Sequence, residues 1–121
     1  MTDYNVASKT PLSVFIDASS SNIPTGFSTA STSLVVTGIA RADVLQIIST
    51  VSSDWLAVNY VQGSVSSAPT EVTLYVPPSA TGTGQFSSVT IDNCQLSSTI
   101  YIKSKTASAP ISEGTVVINI G

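Results

Sequence analysis

Short bursts of alternating residues constrain the fold of this chain more strongly than any other feature. Within most bursts, Val, Ile or Leu alternates with Ser, Thr or another polar residue, which is the period-two pattern of a strand that buries one of its faces. Eight bursts occur, at residues 14–16, 34–36, 44–48, 55–61, 71–76, 88–92, 99–103 and 115–120. The pattern therefore predicts eight strands.

Turn-forming residues separate these bursts and leave little room for helices. Pro24-Thr25-Gly26, Pro77-Pro78 and the Thr-Gly-Thr-Gly run at 81–84 are examples. Residues 38–51 could also line one stripe of a helix, but their β-branched side chains favour a strand. Several short strands with regular turns in one chain of 121 residues predict an antiparallel β-sandwich, with a barrel as the alternative.

The low charge of the chain excludes two classes of protein. Only 9% of residues are charged, with four Lys or Arg against seven Asp or Glu, and the net charge is −3. Four cations cannot form the basic stripe that a nucleic-acid binder needs, and the mean hydropathy of +0.36 is too high for a disordered chain. Ser and Thr take the place of Lys and Glu, which leaves sheet edges poorly protected and suits a docked chain. An ordinary secreted or surface module is the alternative.

The sequence lacks the residue combinations that common catalytic sites require. Because the chain has no His, a Ser-His triad and a Cys-His pair are both impossible, and the lone Cys94 is interpreted as a buried structural thiol. The carboxylates are scattered singly and interpreted as caps and solubilising groups, while Asp92-Asn93 is only a fragment of a calcium loop. We therefore predict a non-enzymatic protein without a metal or cofactor. The lysines at 103 and 105 fit a solvated strand end, or a site that steers the chain onto an acidic partner.

The N-terminal region predicts where the chain is made. Residues 1–5 show no basic start followed by an apolar segment, so no signal peptide is expected. No run of about 18 apolar residues occurs, so no membrane span is expected either. We expect synthesis and folding in a cytoplasm. Residues 1–10 have little periodicity and are interpreted as a possible arm that orders on a partner, with residues 11–121 forming the domain.

The aromatic residues are the only candidate interaction sites in the sequence. If Leu56 and alternate residues face the core, Trp55 and Asn59 are exposed together as a stacking platform for a sugar; if the other face is inward, Trp55 is the core anchor. Tyr75 and Tyr101 are out of phase with the aliphatic residues of their strands, so both should point out of the sandwich. Exposed Tyr is enriched in protein contacts, which makes these two residues candidates for a docking face.

Residues 24–92 resemble the BACON-type Ig-like sandwich of Bacteroidetes proteins and their phages. The likeness rests on the Ser-Ser-Asp-Trp-Leu-Ala-Val segment at 52–58, the strand at 71–76, the Pro-Pro-Ser-Ala-Thr-Gly loop at 77–82 and the closing strand at 87–92. Gln85-Phe86 stands where that family usually has a basic residue. The resemblance implies an all-β chain with a single Ig-like antiparallel β-sandwich of about 7–9 strands.

A second, looser resemblance is to small virion proteins of tailed phages, such as capsid decoration, head-fibre and tail-associated proteins. It implies a structural protein that acts by protein–protein contact within a virion, with other virion proteins and copies of itself as partners. We expect an edge strand such as residues 115–120 to extend a neighbour's sheet. The alternative is a carbohydrate-binding module outside the cell or on its surface, with Trp55 and either Asn59 or Tyr75 as its platform.

Overall fold

A computed structural model describes residues 2–8, 12–27, 33–39, 42–60, 68–92 and 99–121 of the chain, and within them it contains nine strands and no helix. Eight of the strands coincide with the bursts of alternating residues, so the prediction of an all-β fold is confirmed. No helix in these ranges is therefore long and apolar enough to cross a membrane. The strands are β1 Thr2–Ser8, β2 Leu12–Asp17, β3 Leu34–Ile39, β4 Val44–Ser49, β5 Leu56–Asn59, β6 Leu74–Val76, β7 Ser87–Asp92, β8 Ile100–Ser104 and β9 Thr115–Ile120.

The strands form two sheets, as expected for a sandwich rather than a barrel. The five-stranded sheet has the order β1-β3-β8-β5-β6, and the four-stranded sheet has the order β2-β9-β4-β7. All strand pairs are antiparallel except β1–β3, which is parallel. Each sheet buries one face against the other, which explains the period-two pattern of the sequence.

Two expectations about the ends of the chain differ from the structure. Strand β9 is not an edge strand, because β2 pairs with one of its sides and β4 with the other, so it cannot extend a neighbour's sheet. The segment interpreted as an arm, residues 1–10, contains β1, which pairs with β3 of its own chain from Thr2 to Ser8. The hydroxyl of Thr37 donates a 2.6 Å hydrogen bond to Asp3 across this pair.

The core lies between the two sheets and consists almost entirely of aliphatic side chains. Leu45 and Ile47 of β4, Ile118 of β9 and Ile102 of β8 are completely buried there. Ser104 also lies on this inner side, and its hydroxyl has no hydrogen-bond partner among the described residues. Because such side chains are close-packed, removing one of the large aliphatic groups costs about 2–5 kcal/mol. The sandwich is therefore a rigid support for the side chains on its outer faces.

The loop before β9 provides a sharp test of this packing at Gly114. Its φ is +88°, and a Cβ atom there would lie 2.9 Å from the Cα atom of Val51. We expect Gly114→Ala to lower the free energy of unfolding by about 2–4 kcal/mol, because backbone strain and a clash with main chain add together. Gly26→Ala, where no atom lies within 4 Å, is the matched control. Urea unfolding measures both variants, and equal effects would contradict the packing described here.

Candidate functional site

The outer face of the five-stranded sheet brings two exposed aromatic rings and two lysines together. Ala57 in β5 lies opposite Tyr75 on one side and Lys103 on the other, and the N–H of Lys105 donates a 3.0 Å hydrogen bond to the carbonyl of Trp55. Directly opposite residues point to the same face of a sheet, so these side chains share one surface. We call Trp55, Tyr75, Lys103 and Lys105 the aromatic–lysine face.

Lys105 is the centre of the aromatic–lysine face. Its Nζ lies 5.2 Å from the centroid of the Trp55 ring and 5.2 Å from that of the Tyr75 ring. Each contact is within the range of a cation–π interaction, which contributes about 0.5–1 kcal/mol at an exposed site. Trp55 remains 41% exposed and Tyr75 remains 43% exposed. The ammonium group therefore orders the two rings without covering them.

The two lysines give this face a positive charge, whereas the net charge of the chain is negative. Lys103 lies over the ring of Phe27, with its Nζ 5.3 Å from the centroid, so both lysines contact aromatic rings. Among the described residues, no carboxylate forms an ion pair with either lysine. The net charge of the chain is −3. The aromatic–lysine face is therefore a local positive surface on an acidic protein.

The structure resolves the two alternatives for Trp55 and corrects the role of Asn59. Trp55 lies at the surface, so it is not the core anchor of the sandwich. Asn59 is only 2% exposed, and its side-chain amide donates a 3.0 Å hydrogen bond to the carbonyl of Glu71. The expected platform of Trp55 with Asn59 is therefore wrong, because the segment containing Glu71 packs over that end of β5. Tyr75 takes the place of Asn59 beside Trp55.

Tyr101 points away from the main core, as its phase predicts, but it is not exposed. It is 1% exposed in a small second cluster on the outer side of the sheet, with Phe27, Val35 and Ala57. The Phe27 ring meets it edge to face, with 6.3 Å between centroids. Burial raises the pKa of the Tyr101 hydroxyl, and the negative charge of Asp3 raises it further. The expectation that Tyr101 is exposed as part of a docking face is therefore corrected: its side chain is buried and packs on the outer side of the sheet.

Asp54 fixes Trp55 beside Lys105, a role that no pattern in the sequence indicates. One carboxylate oxygen accepts hydrogen bonds from the Trp55 N–H at 2.8 Å and the Thr106 hydroxyl at 3.1 Å. The other accepts from the N–H groups of Thr106 at 2.8 Å and Ala107 at 2.9 Å. Asp54 is 8% exposed. It therefore joins the start of β5 to the residues that follow β8, which are the two segments that carry Trp55 and Lys105.

The pKa of Asp54 reflects two opposing effects. Burial of the carboxyl by itself raises the pKa, because it penalises the charged form. The hydrogen bonds from Thr106, Trp55 and Ala107 outweigh that effect and hold the pKa below its usual value. The carboxylate is therefore charged at neutral pH and fully partnered. Asp54 was interpreted from the sequence as one of several scattered caps and solubilising groups. It does cap main-chain N–H groups, but it is buried and so is not a solubilising surface acid.

The outer face of the four-stranded sheet is different in character. Phe15, Val117 and Ile48 lie opposite one another in a partly exposed apolar row. Beside it, the Ser13 hydroxyl donates to Asn119 at 2.5 Å, and the Asn119 amide donates to Gln46 at 2.9 Å. Neither row contains a charged side chain. The charged side chains on this face, Asp17 and Asp92, are both acidic. The face therefore lacks the positive charge that distinguishes the aromatic–lysine face.

Two open grooves of the described surface do not bring a catalytic set of side chains together. One, of about 400 Å³, is lined by Ile48, Phe86 and Glu113 among others; the second, of about 450 Å³, lies over Gln46 and Asn119. Glu113 is the one carboxylate that lines them, so a pair for general acid–base chemistry is not present in either groove. In the part of the chain that the structure describes, no three His, Cys, Asp or Glu side chains come together as metal ligands.

Some of the sequence interpretations concern residues outside the described ranges. They include Cys94, Asn93 and the turn at 62–64. No protein-family model, curated protein or solved structure matches this chain. The resemblances to BACON-type domains and to phage virion proteins therefore stay predictions. The β-sandwich is supported by the observed strands and their arrangement in two sheets.

Proposed function

We propose that this chain is a non-enzymatic interaction protein that docks through its aromatic–lysine face onto an acidic surface of a partner protein. One observation supports this most directly. The Lys105 ammonium is held between the rings of Trp55 and Tyr75, and both rings are left about two-fifths exposed. Trp and Tyr are the residue types most enriched among the contacts that dominate binding energy.

The surroundings of the face favour docking for a physical reason. Ser and Thr make up much of the remaining surface, and only 9% of the chain is charged, so little charge has to lose its hydration on contact. The lysines are already ordered by aromatic rings, which lowers the entropy lost when they bind. Their charge also steers an acidic partner toward this side of an otherwise acidic chain.

We further propose that the partner belongs to a phage virion, in which this protein is a structural component. The resemblance to small virion proteins and the low-charge Ser/Thr surface support this setting. A protein that stays assembled has little need of the charged residues that keep a free monomer soluble. The proposal predicts a fixed ratio of this chain to a major capsid or tail protein in purified particles.

A second candidate function is binding of an acidic glycan at the same face. Trp55 and Tyr75 present their rings on one side of a sheet, and aromatic rings stack on the apolar faces of sugars. Lys105 lies between them and would pair with a carboxylate of the glycan. Of the two platforms expected from the sequence, Trp55 with Asn59 or Trp55 with Tyr75, this candidate uses the second, because Asn59 is buried.

The experiment compares Trp55→Ser, Tyr75→Ser and Lys105→Glu with the wild-type protein. The binding target is phage particles from which this protein is absent. Trp55→Ser and Tyr75→Ser should each weaken binding to these particles by about 10- to 100-fold, which corresponds to a loss of roughly 1.4–2.8 kcal/mol in binding free energy. Lys105→Glu should weaken binding further at low salt, because it repels an acidic partner. Binding is measured by co-sedimentation with the particles and quantified by mass spectrometry.

Phe15→Ser is the matched control, since Phe15 is 61% exposed on the opposite sheet and should not affect binding. All variants should unfold at nearly the wild-type temperature. If particles bind the Trp55→Ser and wild-type proteins equally, the docking proposal is wrong. If the wild-type protein does not bind particles but binds acidic oligosaccharides, and Trp55→Ser binds neither, glycan binding replaces the docking proposal.

A further inference from the structure

The free edge of β7 is the least protected of the four sheet edges. Edge strands normally have a feature that prevents pairing with other chains. Such features are short length, a Pro residue, a β-bulge or a charged side chain at the edge or pointing inward. Strand β6 has only three residues and is followed by Pro77-Pro78. Strand β1 carries Asp3 and has an irregular register between Asn5 and Ser8.

The four-stranded sheet has the other two edges, β2 and β7. Strand β2 is preceded by Pro11 and ends at Asp17, where the chain turns sharply as Ser20 and Ser21 bond back to the Asp17 carbonyl. Strand β7 has neither Pro nor Gly nor Lys, and its single charged residue, Asp92, is its last one. It pairs with β4 over all six of its residues without a break in register. Among the described strands, β4 is the one partner of β7. Its opposite side therefore presents unpaired backbone groups along a regular strand.

We propose that β7 pairs with β7 of a second copy of this chain, antiparallel and about a two-fold axis through Thr90. In a continuous sheet, residues that lie opposite one another point to the same face. The even-numbered residues of β7 point to the outer face, so each must lie opposite an even-numbered residue of the second copy. The axis through Thr90 satisfies this condition. It gives three pairs of contacts: Thr90 with Thr90 of the second copy, Ser88 with Asp92, and Val89 with Ile91.

The chemistry of these pairs matches on both faces of the sheet. On the outer face, the Asp92 carboxylate meets a Ser hydroxyl rather than another carboxylate, and two Thr hydroxyls meet at the axis. On the inner face, Val89 lies against Ile91. Both of these side chains are on the core side, opposite the fully buried Ile47 and Leu45, yet both are only half-buried in the single chain. A second copy would bury the side chains that the sandwich leaves uncovered at this edge.

The expected occupant of this edge is therefore a second copy of the chain rather than an unrelated partner, because β7 is complementary to itself when two copies pair antiparallel. This contact goes beyond docking by the aromatic–lysine face, which lies on the other sheet. Pairing of five residues on each side, 88–92, makes a small interface, so the dimer should be weak and depend on concentration. It would become strong only where many copies are held close together.

The test is sedimentation equilibrium of wild type, Thr90→Lys and Thr83→Lys up to about 1 mM protein. Wild type should form a dimer. Thr90→Lys should weaken that dimer at least about 10-fold, because two lysines meet directly at the axis. Thr83→Lys adds the same charge in the exposed loop before β7 and should leave the dimer unchanged. Circular dichroism melting checks that both variants fold.

A cross-linking measurement locates the contact independently. In a Cys94→Ser background, Thr90→Cys should form a disulfide-linked dimer on mild oxidation, since Cβ atoms of directly opposite residues lie about 4.5–5.5 Å apart. Thr83→Cys should cross-link far more slowly. A wild-type chain that stays monomeric throughout, a dimer that persists in Thr90→Lys, or equal cross-linking of the two Cys variants would each overturn the proposal. None of these results depends on binding of particles, so this proposal and the proposed function fail separately.

Discussion

Replacing Asp54 by Ala is expected to lower the free energy of unfolding by about 3–5 kcal/mol at neutral pH. The substitution removes a buried carboxylate that accepts four hydrogen bonds and leaves the N–H groups of Thr106 and Ala107 without their acceptor. Each of these bonds has a charged acceptor, and such bonds are stronger than neutral ones, so the loss of all four together has a large effect even though the donors are only partly buried. Urea unfolding followed by circular dichroism measures the loss.

The pH dependence of stability gives this prediction a second readout. The pKa of Asp54 is lowered in the folded protein, so its stabilising contribution is complete above the unfolded pKa of about 4 and is lost as the pH falls through the folded pKa. The difference between wild type and Asp54→Ala should therefore shrink below about pH 4. A constant difference from pH 7 to pH 2 would show that the carboxylate charge does not act as described.

Asp17→Ala is the matched control for this pH dependence. The pKa of Asp17 is also lowered, by hydrogen bonds from the hydroxyl and the N–H of Ser19, but these contacts lie at an exposed turn. Its effect on stability should be much smaller than that of Asp54→Ala. Asp54→Ala should also weaken docking, because it releases Trp55 from Lys105. Comparing the two variants therefore distinguishes the effect of a buried carboxylate, Asp54, from that of a carboxylate at an exposed turn, Asp17.

Strand positions were predictable because burial of one face leaves a direct trace in the sequence. Strands β4 and β9 alternate between buried and half-buried residues along their whole length, which is the pattern that the sequence shows. Strand β1 was not predictable, since its short polar sequence has no such alternation and pairs in parallel at an edge. The position of β9 inside its sheet was also not predictable, because alternation reveals which face is buried and carries no information about which strands are neighbours.

The candidate site was only partly predictable for the same reason. The phase of Tyr75 and Tyr101 correctly placed both side chains on the outer side of the five-stranded sheet. The residues that cover that side are distant in sequence: Phe27 packs on Tyr101, whereas Tyr75 lies beside Lys105 and stays 43% exposed. The pairing of Trp55 with Lys105 depends on contacts between residues about 50 positions apart. No short pattern contains that information.

Tyr101→Ala and Tyr75→Ala are expected to have opposite consequences, although both residues lie on the same side of one sheet. Tyr101→Ala should lower the free energy of unfolding by about 3–5 kcal/mol, because it opens a cavity between Phe27, Val35 and Ala57. Tyr75→Ala should cost less than about 1 kcal/mol, because that residue lies at the surface outside both buried clusters, but it should weaken partner binding. Urea unfolding and particle co-sedimentation of the same two variants measure both effects.

Alkaline titration tests the environment of Tyr101 without creating a cavity. Burial and the nearby Asp3 charge raise its pKa, so ultraviolet absorbance should show a phenol that ionises above the usual value of about 10. Tyr101→Phe should abolish that late phase. Because the raised pKa favours the neutral form in the folded state, this residue stabilises the protein below about pH 10 and loses that contribution as the pH rises further. If Tyr75→Phe rather than Tyr101→Phe removed the late phase, the assignment of the buried and exposed rings would be reversed, and the docking face would have to move from Tyr75 to Tyr101.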